Sequence, residues 1–172
     1  MKRYIPIILY IWLYLGWFAC VWLGKIGEAA YSLFIPCGGW LIFCRIFSLA
    51  PLEYIKALIL CLTGILADGL ASKLGLIHFS VKDTGNFIPL WMISLWLLFI
   101  PTIFLLKKPL GERLWLAALL GGIIGPASYK SGEFFGILRL DGFIAVLIYV
   151  IFWTLFLPFA ITWIKQPCKR CP

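Results

Sequence analysis

The chain has 172 residues, 63% of them hydrophobic and only 13% charged, with a formal net charge of +8. Soluble domains run near half apolar and a quarter charged, so this balance excludes an ordinary soluble enzyme and leaves an integral membrane protein. The positive charge gathers in alternate loops, which marks it as a topology signal and argues against nucleic-acid binding.

Lys2 and Arg3 lead into an apolar run from Tyr4 to Gly24. It is long enough to span a bilayer and no small-residue cleavage site closes it, so it reads as a retained first helix. Further apolar runs over Ala30–Ala50, Ile55–Leu76, Ile88–Leu106, Leu114–Tyr129 and Phe143–Ile164 complete six expected spans. The fold class expected is all-α: one polytopic membrane bundle of six transmembrane helices over residues 1–172, with short connectors that make successive helices antiparallel neighbours.

With the N-terminus inside, the inner ends hold Lys2, Arg3, Arg45, Lys56, Lys107, Lys108, Arg113, Lys165, Lys169 and Arg170. The outer ends hold Lys25, Lys73, Lys82, Lys130 and Arg139. This asymmetry predicts a multi-pass bacterial inner-membrane protein with both termini cytoplasmic. The longest connector, His78 to Asn86, ends in a turn-rich Asp83-Thr84-Gly85-Asn86 at the outer face.

Asp68 lies within the third span, where a carboxylate costs roughly 2.5–3.5 kcal/mol on insertion scales and must face protein, water or a partner. Helical spacing gives its face only small neighbours, Gly64, Ala71, Ser72 and Gly75 among them. The fifth span carries a matching stripe of Gly121, Gly125, Ser128 and Gly132. A packing seam between spans three and five is therefore expected, built on Gly64, Ser72, Gly121, Gly125 and Pro126. Around Asp68 the candidate polar site adds Ser128 and Tyr129 as hydrogen-bond donors and Lys130 as a counter-ion, with Glu133 close by. Trp12, Trp17 and Trp96 lie deep enough to read as packing or pocket walls, packing being the commoner role, and Trp17 and Trp91 are the candidate pocket walls.

Other signals carry less. Phe34-Ile35-Pro36 and Phe87-Ile88-Pro89 open the second and fourth spans, and Gly64…Lys73-Leu74-Gly75 echoes Gly121…Lys130-Ser131-Gly132. Parallel copies of spans two–three and four–five would explain this, but chance explains so few matches more readily. Cys168 and Cys171 form a CxxC in a cytoplasmic tail that lacks two further zinc ligands, so no metal and no cofactor is expected.

Gly16-Trp17-Phe18-Ala19-Cys20-Val21, the run Pro89–Phe99, and Gly125-Pro126-Ala127-Ser128-Tyr129 leading to Gly132 join Gly64 and Asp68 in a pattern. It resembles a family of small bacterial inner-membrane proteins catalogued as domain of unknown function 2878. The resemblance covers nearly the whole chain except the Cys168/Cys171 tail. It brings no established activity and tilts the expectation towards lipid metabolism. The function expected is binding or transport of a lipid or small amphiphile at the site around Asp68. An intramembrane lipid-modifying enzyme, or a scaffold for a lipid-modifying partner, is the alternative. Membrane lipids are the expected partners, and the oligomeric state is left open.

Overall fold

The structure, a computed structural model, describes residues 5–46, 49–80 and 88–166. Six α-helices account for most of them: α1 (Ile5–Lys25), α2 (Phe34–Ile46), α3 (Pro51–Lys73), α4 (Leu90–Leu110), α5 (Leu114–Phe134) and α6 (Gly142–Lys165). Among the described residues four helices, α1, α3, α4 and α6, are long and apolar enough to cross a membrane. The all-α membrane bundle is thus the architecture found. The second expected span differs from expectation: Ala29–Leu33 is a 3-10 turn and α2 itself has 13 residues. α5 has the length of a span, but Gly, Ser, Lys and Glu dilute its apolar character.

α4 is the central helix, packed against every other helix of the bundle. In its most apolar stretch 56% of residues are buried inside the protein, against 28% for α1. Pro101 lies inside α4 and cannot donate to the carbonyl of Leu97 one turn earlier. That freed carbonyl accepts a hydrogen bond from Trp40 Nε1 of α2 at 2.9 Å, which ties α2 to the centre. The 3-10 turn is tied in by Ser32, whose hydroxyl meets that of Ser94 at 2.8 Å, both fully buried.

One end of the bundle carries a short antiparallel sheet that sequence periodicity did not suggest. Strand β1 (Ile77–Phe79) follows α3 and pairs with β2 (Leu138–Leu140), which follows α5. Gly75 and Gly136, at φ +72 and +74, make the left-handed turns that end the two helices and release the chain into the strands. Asp83 to Asn86 lies outside the described residues. At the opposite end, Lys107 pairs with Glu53 at 3.5 Å, and Lys56 donates to the Gln166 carbonyl at 2.8 Å.

Candidate functional site

Asp68 is fully buried and lies about 8 Å, five residues at 1.5 Å each, below the sheet end of α3. Trp96 of α4, Tyr129 of α5 and Tyr149 of α6 reach it from similar depths on their own helices. Trp96 Nε1 donates to Oδ2 at 2.7 Å. The hydroxyls of Tyr129 and Tyr149 both donate to Oδ1, at 2.8 and 2.9 Å. Thus four helices meet at one carboxyl group. An ionised carboxylate only accepts hydrogen bonds, and an indole N–H only donates, so the set fits an anion held by neutral donors.

Aromatic packing fixes the donors. The Trp96 ring stacks on Trp153 of α6 with centroids 5.4 Å apart and planes 1° from parallel. Tyr129 and Tyr149 lie ring against ring at 4.1 Å. Each indole of the stack rests on a glycine: a Cβ at Gly64 would collide with the Trp96 ring, and one at Gly125 with the Trp153 ring.

The packing seam differs from the expected one. α3 and α5 make no extensive contact; α5 packs most extensively on α6, and α3 on α4. Gly121 and Gly125 admit the backbone and ring of Trp153, while Gly64 admits Trp96. Small residues on α3 and α5 therefore serve two separate indoles, not each other. Pro126 is buried, and Ser72, at the end of α3, gives its carbonyl to the Gly75 N–H.

Of the candidate polar residues, only Tyr129 joins Asp68. Ser128 turns its hydroxyl back to the Gly125 carbonyl at 2.6 Å. Lys130 is exposed and pairs with Glu133 at 2.6 Å, so it is not the counter-ion of Asp68. Glu133 also accepts the Leu140 N–H at 3.2 Å and so braces β2. Sequence reasoning missed Trp96 and Tyr149 as partners. A tyrosine within an otherwise apolar sixth span was the available signal, since its hydroxyl needs a partner there.

Beside this cluster lies a cavity of about 480 Å³, lined by α1, α4, α5 and α6. Trp17 and Trp91 are among its walls, together with Trp96 and Tyr129 from the carboxylate cluster. Asp68 itself is not a wall residue. At the sheet end Phe135 meets Trp17 and Phe18 of α1, while Ile137 and Leu138 contribute to the wall there. Below that closure α1 and α5 make no extensive contact. Among the described residues lining the cavity none is charged; Thr102, Ser128 and Ser131 bring hydroxyls to a mainly apolar wall.

A family model matches residues 6–159, most of the chain. The chain belongs to the DUF2878 family. That family is described as proteins of unknown function, and the match ends before Cys168 and Cys171, which also lie outside the described residues. No curated protein and no solved structure matches the chain. For this DUF2878 protein, function must be argued from the cluster and the cavity.

Proposed function

We propose that this DUF2878 protein binds an uncharged lipid or small amphiphile taken from the bilayer, as a carrier or transport site. The cavity carries this reading. Its wall on α4 runs from Trp91 to Leu110, about 28 Å of helix, and is mainly apolar along that length, which suits an extended hydrocarbon chain. A charged group would have no counter-ion on this wall, and leaving a charge unpaired in an apolar site is costly. An alcohol or amide head can instead donate to the wall hydroxyl oxygens of Ser128 and Ser131, whose own protons go to backbone carbonyls.

Asp68 supports binding over acid–base chemistry. It is fully buried, its carboxyl already accepts three hydrogen bonds, and it reaches the cavity only through Trp96 and Tyr129. Its role in this reading is to hold those two walls in place. The sheet end then faces outwards and the end bearing Arg45, Lys107, Lys108 and Arg113 faces the cytoplasm of a bacterial inner membrane. Labelling of a cysteine at the exposed Arg139 (Arg139→Cys) by an impermeant reagent on intact cells tests that orientation; protection until lysis would reverse it.

The binding test uses delipidated protein in mild detergent and a fluorescent long-chain alcohol as probe. Leu120→Trp, on the cavity wall, should weaken binding about tenfold or more while the melting profile is kept. Unchanged affinity in that variant, or no saturable binding by the wild type, would overturn the reading.

A further inference from the structure

The two halves of the bundle end their first helix and pair their strands in the same way, although α5 packs more extensively on α6 than α3 does on α4. α3–β1 and α5–β2 end identically: Leu74, Gly75 and Leu76 donate to the carbonyls of Leu70, Ser72 and Ala71, as Phe135, Gly136 and Ile137 donate to those of Ser131, Glu133 and Gly132. Matching Gly75 to Gly136 makes Asp68 the equivalent of Tyr129, and Gly64 the equivalent of Gly125. The strands obey the same match. His78 pairs with Arg139 at the centre, Ile77 with Leu140 and Phe79 with Leu138, a register unchanged when the halves are exchanged. Even the flanking bonds are mirrored: Ser80 donates to the Ile137 carbonyl and Asp141 to that of Leu76, at 2.9 and 3.0 Å.

After the strands, a shorter connector in the second half brings α6 into step with α4. Trp96 then matches Trp153, its stacking partner, and Pro101 matches Pro158, the proline inside each helix. The glycine that receives each indole is matched as well. These agreements come from backbone turns, strand register, ring stacking and sequence, and all give one alignment. It differs from the pairing of spans two–three with four–five that short sequence matches suggest.

We propose that α3–β1–α4 and α5–β2–α6 are two copies of one unit, related by a two-fold axis along the bundle through the Trp96–Trp153 stack, and that Asp68 is the clasp between them. Such parallel repeats occur in membrane transporters that move one repeat against the other. The copies meet on the axis, where α4 packs on α6 and β1 pairs with β2, and at two flanking junctions, α3 against α6 and α4 beside α5. Asp68 of the first copy takes its own copy's Trp96, then reaches Tyr129 and Tyr149 of the second. The bond to Tyr149 crosses the α3–α6 junction, and the cavity lies at the α4–α5 junction. Releasing the clasp lets the copies part and loosens the cavity; this last consequence for a bound amphiphile rests on the function proposed above. Asp68 acts as a positioning residue, through Trp96 and Tyr129.

The test exchanges equivalent residues. Asp68→Tyr and Tyr129→Asp each lower the melting temperature by about 10 °C. Combined, they move the carboxylate to the position of Tyr129, which the buried Trp153 Nε1 faces, and put a tyrosine donor at position 68. The double variant should recover at least half of the loss; a double variant no better than the worse single overturns the proposal. If neither single variant folds, Gly64→Ala and Gly125→Ala decide. Each displaces one indole, so both should weaken the exciton-coupled circular dichroism of the tryptophan pair alike, and a change in only one refutes the equivalence. For the cavity, Asp68→Asn should release the fluorescent alcohol about tenfold faster than wild type, and an unchanged rate rejects the clasp's control of the cavity. A wild type that binds no probe defeats the proposed function, while the exchange still reads the clasp.

Discussion

Removing the carboxylate should unsettle four helices at once. In Asp68→Ala the three donors of Trp96, Tyr129 and Tyr149 lose their acceptor in a fully buried place. An orphaned buried donor costs about 1–3 kcal/mol. The two phenols stand 4.1 Å apart and can turn towards one another, whereas the indole N–H of Trp96 has nowhere to turn within its stack. The loss should therefore be about 4 kcal/mol, in the range found when one partner of a buried ionic group is removed. For a chain of this length that is about 8–16 °C in melting temperature. Tyr149→Phe removes one donor and leaves the carboxylate two, so it should cost about 2 kcal/mol, or about 4–8 °C. Thermal unfolding in detergent, followed by tryptophan fluorescence and by retention on size exclusion, measures both. Melting of Asp68→Ala within about 2 °C of wild type, or a larger loss in Tyr149→Phe, would refute a carboxylate that holds the four helices together.

Gly125→Leu drives a side chain into the Trp153 ring, and overpacking of this kind costs about 1–3 kcal/mol or more, so its melting temperature should fall well below that of Ile123→Leu on the exposed face of the same helix. Equal melting of those two variants would mean that α5 and α6 do not pack through Gly125. Lys130→Ala breaks an exposed ion pair and should shift stability by less than about 1 kcal/mol. A loss as large as that of Asp68→Ala would restore Lys130 as the counter-ion of the buried carboxylate.

The apolar runs with basic ends carried the helical membrane architecture, because chain length against bilayer thickness leaves few alternatives. Asp68 announced itself for a similarly local reason, since a charge inside an apolar helix needs a partner wherever it ends up. Which partner it finds is not local. On α3 the small stripe around Gly64 is as suited to a neighbouring glycine stripe as to an indole, and only the placement of α4 decided for Trp96. Lys130 and Tyr129 are adjacent in sequence and point to different places, one into an exposed pair and the other into the core. The halves show few identical residues, so their match rests on Gly75 and Gly136, the register of two three-residue strands and one pair of stacked rings. Hydropathy cannot distinguish such positions from other small or aromatic residues. They acquire meaning when packing brings residues far apart in the chain to one axis, and it is there that the tertiary structure, not the sequence, chose the partners of Asp68 and left the cavity beside them.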